Sequence, residues 1–321
     1  MTENELVAKW HSDAQQALRA EVRQVLEMES LPQTRASKEV GVAHGTWSAW
    51  LGDTYNGRTH DIAEKTSAWL AARREKASLA KVLPPAPGFQ TTPTASSILS
   101  LLQFCQFAPD FGVVAMGPGV GKTTTIEAYR HSAPNVHVVT AEPVTAAPHA
   151  VMSELAEVIG VVEKSPTRLS RAIQQRLRGS GALIVVDEAQ HLPTTTLDQL
   201  RSLHDKAGVG LVLAGNEAVY SRIAGDGGKA QFAQLYSRVG MKLTRSRPHD
   251  DDVSVMATGL GVTGVGELAI LRAIARKPGA LRGVVKTVRL ARVLAAGDGE
   301  ELAAKHLKAS WSQIGAQALD L

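Results

Sequence analysis

The residues best placed to do chemistry lie in one stretch, Met116-Gly-Pro-Gly-Val-Gly-Lys-Thr123, between a short apolar run and an amphipathic segment. Gly117, Gly119 and Gly121 permit a turn whose successive backbone N–H groups point inward, and a following helix adds the positive end of its dipole. Such a cradle suits a polyphosphate. Lys122 has the reach and charge for the outer phosphates, the Thr123 hydroxyl is a ligand for Mg²⁺, and Pro118, Val120 and Thr124 complete the lining. The pattern G-x-x-x-x-G-K-[ST] fits in its last three positions, but Met116 stands where its first glycine belongs, which predicts a workable loop with a weaker grip.

Further along, Leu183-Ile-Val-Val-Asp187-Glu188 ends an apolar run in two carboxylates. An ionised acid at the end of an oily strand is costly unless it meets a cation. Asp187 is therefore placed in the Mg²⁺ shell, and Glu188 is the group that polarises the attacking water. A third run, Leu211-Val-Leu-Ala-Gly-Asn216, ends in an amide that either orients the same water or turns the chain. Other chemistry is poorly provided for. The ten histidines make no helical pair with a third ligand, so no metal besides Mg²⁺ is expected, and no nucleophile elbow occurs. The single cysteine, Cys105, reads as core, and Asp250-Asp-Asp252 as acids that open a helix and offset its dipole.

Positioning these groups requires a sheet. Gly112-Val-Val-Ala-Met116, Val136-His-Val-Val-Thr140, Ala182-Leu-Ile-Val-Val186, Val209-Gly-Leu-Val-Leu-Ala214 and Val239-Gly-Met-Lys-Leu243 alternate with amphipathic segments, the signature of parallel strands buried on both faces. Residues 1–80 carry helical patterns alone, and the proline-rich 81–95 reads as a linker. The core then spans 96–249, and 250–321 form a small helical lid. Within residues 1–80, Thr34-Arg-Ala-Ser-Lys-Glu-Val-Gly41-Val-Ala-His-Gly-Thr46-Trp-Ser-Ala-Trp50 fits a helix-turn-helix with Gly41 at the turn. The fold class is α/β: a P-loop parallel sheet with an all-α module before it and a helical lid after it.

The three strand-end motifs, in this order, resemble the Walker A, Walker B and sensor 1 residues of the AAA+ ATPases. That resemblance implies catalytic roles for Glu188 and Asn216. It also implies an arginine finger at Ser237-Arg238, following Phe232-Ala-Gln-Leu-Tyr236, with Arg222 and Arg245 as competitors. It implies a sensor 2 arginine, Arg282, within Lys277-Pro-Gly-Ala-Leu-Arg282. The same segments, with Asp53-Thr-Tyr-Asn-Gly57 and Trp69-Leu70, are similar to the transposition B proteins of Mu-like transposable phages. The similarity runs patchily through nearly the whole chain. It implies an ATPase with ATP and Mg²⁺ as cofactors that forms ATP-dependent helical filaments on double-stranded DNA, largely without sequence preference. Such a protein delivers target DNA to a partner transposase, which stimulates hydrolysis.

Charge supports DNA binding only locally, because 35 Lys and Arg against 31 Asp and Glu leave a net +4 over 321 residues. Residues 1–80 hold ten cations and eleven acids. Arg35 and Lys38 near phosphates, with Thr46 and Ser48 toward a groove, are its candidate contacts, and protein docking is the competing reading. Two stretches are richer. Lys164, Arg168, Arg171, Arg176 and Arg178 lie on an amphipathic segment backed by Leu169, Ile173 and Leu177. From Arg272 to Arg292 there are seven cations and no acid, and a helix from Ala280 sets Arg282, Lys286, Arg289 and Arg292 on a free side opposite Leu281, Val284, Val285, Val288 and Ala291.

Two other functions fit parts of the sequence: a loader or remodeller of a protein partner such as a helicase, and a nucleotide-switched helix-turn-helix regulator. With one cysteine, no secretory layout at Met1 and no apolar run long enough to span a bilayer, a cytoplasmic protein, in a host cell if phage-encoded, is the expectation.

Overall fold

Short β-branched runs can bury both faces only if helices cover both, and that requirement organises the larger part of the chain. The computed structural model describes residues 10–82, 87–219 and 237–315. The chain divides into two compact units, Met1–Pro84 and Pro85–Leu321.

In the first unit, α1 (Ser12–Met28), α2 (Gln33–Val40), α3 (His44–Leu51) and α4 (Thr59–Val82) pack around a tryptophan core. Helices α2 and α3 are joined by a short turn in which Gly41 is left-handed at φ 73°. Trp47 and Trp50 are fully buried, and each indole N–H finds an acceptor: Thr66 Oγ1 at 3.3 Å and Gln15 Oε1 at 3.1 Å. Trp47 meets Trp69 edge to face at 6.4 Å. Helix α4 continues through Val82, two residues into the stretch read as linker.

In the second unit, α5 (Pro93–Phe107) starts inside that stretch, capped by the Thr92 hydroxyl, with proline at its first position. There follow β1 (Phe111–Met116), α6 (Lys122–Ser132), β2 (Val136–Thr140), α7 (Pro148–Val158), α8 (Pro166–Leu177), β3 (Leu183–Asp187), a 3₁₀ turn (Ala189–His191), α9 (Thr194–Ala207), β4 (Gly210–Gly215) and β5 (Val239–Arg245). The five strands pair in parallel in the order β2-β3-β4-β1-β5. Strand period two divides the apolar residues between faces. Val113, Ile184, Val186, Leu211 and Leu213 pack on α7, α8 and α9. Val114, Met116, Val185, Val212 and Ala214 pack on α5 and α6. Cys105 lies in this second face, where burial, with Asp110 nearby, pushes its thiol up to about 12.

The lid is α10 (Asp250–Gly259), α11 (Val265–Ala275), α12 (Ala280–Gly297) and α13 (Ala304–Gly315), around its own apolar cluster. The acids opening α10 do more than offset its dipole. Asp252 is fully buried and accepts from His249 N–H at 2.7 Å, from Thr94 N–H at 2.8 Å and from the Thr94 hydroxyl at 2.6 Å. One carboxylate thereby closes α10 and ties the lid to the start of α5. No helix among the described residues is long and apolar enough to cross a membrane.

Candidate functional site

The parallel strand order puts the ends of β1, β3 and β4 side by side, so the residues that leave those strands converge. Met116 closes β1 as an ordinary strand residue, its side chain fully buried against α5 and α6. Glycine is needed one position later. A Cβ on Gly117 would come 2.1 Å from the Ser246 carbonyl oxygen, and one on Gly119 would come 2.0 Å from that of Gly279. The loop is thus pressed between the end of β5 and the lid, and Met116 costs it nothing sterically.

Helix α6 begins directly from this loop with no side chain capping its first N–H groups, the arrangement that receives an anion. The Lys122 ammonium is buried and turned back onto the loop, donating to Met116 O at 2.8 Å and Gly117 O at 3.2 Å. Burial lowers its pKa; Asp187 and Glu188 raise it, and Arg282 lowers it further. Arg282, exposed near the start of α12, is thus close enough to Lys122 to act on its charge. Thr123 Oγ1 donates to Asp187 Oδ2 at 2.6 Å, so a hydroxyl and a buried carboxylate meet with hard-cation chemistry. The other Asp187 oxygen accepts from Glu188 N–H at 2.9 Å. A bare helix start, a confined ammonium and this pair fit a magnesium-bound nucleoside triphosphate.

Glu188 has a left-handed backbone, φ 54°, uncommon for a residue with a side chain. Its carboxylate accepts a close hydrogen bond from Gln190 Nε2. Asn216 follows β4, exposed, and its Oδ1 accepts from Ala218 N–H at 3.0 Å. Sequence reasoning does not single out Gln190; its spacing, two residues beyond Glu188, was the only signal available.

The arginines are less uniform than their spacing suggests. Arg238 forms an ion pair with Asp205 on α9 at 2.5 Å. Arg245 closes β5, and its backbone oxygen accepts from Gly117 N–H at 2.9 Å. Arg222 and Phe232–Tyr236 lie outside the described residues. On α8 the expected buried stripe is present, and Arg168, Arg171 and Arg176, with Lys164 before the helix and Arg178 after it, are exposed; Arg178 also donates to Lys206 O at 3.2 Å.

The free basic side expected on α12 is corrected in part. Its buried stripe forms, with Val285 only half-buried, and Lys286 is exposed. Arg289 and Arg292 are half-buried, and Arg292 donates a close hydrogen bond to Leu260 O at the end of α10. A helix end leaves carbonyls unsatisfied, and a neighbouring guanidinium is a suitable partner. In the N-terminal unit Arg35 pairs with Glu39 at 3.3 Å, Lys38 is exposed, and Thr46 and Ser48 are half-buried on α3. Arg73 pairs with Glu29 and Glu39, Arg74 with Glu21, and Arg19 with Asp53.

Comparison with known proteins agrees with this geometry. The AAA domain family matches residues 106–223, and the family described as Mu B transposition protein, C terminal, matches residues 237–314. The ATP-dependent target DNA activator B of Escherichia phage Mu is 34% identical over 300 residues, covering 92% of this chain and 95% of that protein. The Mu-like prophage FluMu DNA transposition protein B of Haemophilus influenzae is 34% identical over 271 residues, covering 83% of this chain and 93% of its own length. Among solved structures, Drosophila ORC bound to DNA superposes with a TM-score of 0.53 at 14% identity, over 75% of this chain and 66% of that one, a likeness of fold. With a P-loop sheet, a helical lid and a match at this level over nearly its whole length, the chain belongs to the Mu-type transposition B proteins.

Proposed function

We propose that this chain is an ATPase of DNA transposition that assembles with ATP on duplex DNA, in a helical array, and offers that DNA to a transposase. The observation that carries the reading is the meeting of Lys122, Thr123, Asp187 and Glu188 at an uncapped helix start. The names of the relatives, a target DNA activator and a DNA transposition protein, support the setting.

In this reading the backbone of residues 117–124 wraps the phosphates and Lys122 exchanges its loop carbonyls for the β- and γ-phosphate oxygens. Thr123 and Asp187 would hold Mg²⁺, which would supply Lewis-acid neutralisation of the phosphate charge. Glu188 accepts a proton from a water whose oxygen bonds to the γ-phosphorus. The bond from that phosphorus to the bridging oxygen breaks, ADP keeps the electron pair, and phosphate departs. Asn216 orients the water with its amide nitrogen, and Arg282 faces the phosphates from the lid. Arg238 exchanges Asp205 for the γ-phosphate of a neighbouring copy, which makes assembly depend on nucleotide.

The DNA surface we assign is α8 with Lys164, because these cations stand exposed with no acid among them. Many weak phosphate contacts in an array then act as one. The test is Lys122→Ala. Expected is loss of ATP binding, of hydrolysis and of ATP-dependent filaments on DNA in negative-stain images; wild-type filaments formed by the variant with ATP would refute the coupling. One feature, the helix-turn-helix pattern across α2 and α3, favours a second reading in which the N-terminal unit recognises an operator. Footprinting separates the two: uniform coverage supports the array, one discrete protected site the regulator.

A further inference from the structure

Two groups of the proposed hydrolytic site, the Glu188 carboxylate and the end of β4, are bridged by a single side chain. Gln190 donates from Nε2 to Glu188 Oε2 and accepts at Oε1 from Asn216 N–H at 3.1 Å. The backbone is shaped for this contact. The left-handed turn at Glu188 and the 3₁₀ turn after it carry residue 190 back over residue 188. Gly215 leaves the necessary space, since a Cβ there would come 2.4 Å from Gln190 Oε1. A non-glycine residue in left-handed backbone is disfavoured and persists where surrounding structure imposes it.

Gln106, by comparison, is a purely structural amide. It donates to Pro134 O and Gly181 O and accepts from the Tyr129 hydroxyl, none of them a group the reaction would use. Gln190 instead has one end on the carboxylate that would take the proton and the other on the backbone of the residue that would orient the water. A carboxamide is the side chain suited to that gap, because it presents a donor and an acceptor in one plane. Glutamate would keep the acceptor for Asn216 but set a like charge against Glu188.

We propose that Gln190 is a positioning residue: its amide fixes the orientation of the Glu188 carboxylate and ties it to the end of β4, so that the base and Asn216 face the γ-phosphate as one unit. The proposal rests on Glu188 being the base. Hydrolysis depends steeply on such alignment, and a misplaced group costs on the order of 100-fold in rate.

The experiment measures ATP hydrolysis and nucleotide affinity of the full chain for Gln190→Ala and Gln190→Glu, each in the natural background and beside Glu188→Gln. Expected for both single variants is a fall in kcat on the order of tenfold to 100-fold with nucleotide affinity within about twofold. Beside Glu188→Gln, the further change to Gln190→Ala lowers the residual rate no more, because the partner it acts through is gone. Unchanged kcat in Gln190→Ala overturns the proposal, as does the same fold-loss in both backgrounds or a parallel loss of affinity. The near-isosteric Gln190→Glu keeps the side chain's size, and melting temperatures of both variants beside the natural chain's separate a folding defect from a lost alignment. If Glu188→Gln itself hydrolyses ATP at the natural rate, the assignment of the base fails, and that failure is read from a variant in which Gln190 is intact.

Discussion

Helices α8 and α12 both carry cations down one side and aliphatic residues down the other, but only α8 leaves its cations fully in water. Helix α8 packs mainly through Leu169, Ile173 and Leu177, with Ser170 Oγ accepting from Gln199 Nε2 at 3.1 Å, while Arg168, Arg171 and Arg176 stay exposed and Arg178 reaches the Lys206 carbonyl. Helix α12 sits among the lid helices, where Arg292 reaches the end of α10 and Arg289 is half-buried. A guanidinium beside an unsatisfied carbonyl becomes part of the fold. Spacing on a helix therefore says which residues share a side, and the neighbouring element decides whether their charge is available to a phosphate.

The largest expected effect tests that difference directly. The double variant Arg168→Ala with Arg171→Ala should weaken binding to DNA of unrelated sequence about 30-fold near physiological salt and reduce the log–log salt slope by about 2, one unit for each phosphate contact removed. ATP-bound protein titrated onto duplex over a range of salt gives both numbers. Natural affinity in that variant, with a loss in Lys286→Ala instead, would reverse the ranking of the two helices.

Arg292→Ala sharpens the comparison from the other side. A charged hydrogen bond to a helix end contributes about 1.5 kcal/mol, so the second unit should melt roughly 4 °C lower while DNA affinity and its salt slope stay put. A variant that melts normally and binds DNA poorly would mean that Arg292 faces phosphate after all.

How much of this was legible in the sequence follows the same physics. Strands β1, β3 and β4 are marked by apolar runs because a strand buried on both faces has no room for polar residues. By contrast β5, expected to be buried on both faces, lies at the sheet edge and alternates half-buried with exposed residues, which admits Lys242 and Arg245. Lys122, Thr123, Asp187 and Glu188 are legible because their types and their order at strand ends admit few other uses. Arg292 was misread because its partner, Leu260 O, is a backbone atom brought near by tertiary packing, which no residue type encodes. Gln190 escaped notice for a related reason: an amide in a turn is unremarkable until the left-handed backbone at Glu188 aims it. Met116 shows the converse. It departs from the glycine pattern, while the close approach that excludes a side chain falls one residue later, at Gly117, against Ser246.

The smallest effect concerns the N-terminal unit, where the cations are balanced by acids. Glu39 sits at the centre of that balance, accepting from Trp69 Nε1 at 3.2 Å, Arg73 Nη1 at 2.5 Å and Arg35 Nε at 3.3 Å. The indole hydrogen bond lowers its pKa most, burial works in the opposite direction, and Arg73 and Arg35 lower it further. The native state therefore prefers the carboxylate, and the unfolded chain takes up the proton first as pH falls. The stability Glu39 contributes is complete above its ordinary value of 4.5 and is lost as pH drops through the lowered native value. Because Glu39 is exposed and its ion pairs are screened by solvent, Glu39→Gln should cost no more than about 0.5 kcal/mol near neutral pH, and the gap between variant and natural chain should close in acid. Intrinsic fluorescence follows this unit in the full chain, since Trp10, Trp47, Trp50 and Trp69 belong to it and Trp311 alone to the other. Parallel stability curves at every pH would show that Glu39 titrates alike in both states. The same substitution also removes an anion from beside Arg35 and Arg73, so DNA affinity should hold within about twofold if phosphate is gripped at α8. A clear rise in affinity would place these paired arginines on the DNA and make the N-terminal unit, rather than α8, the charged surface that matters.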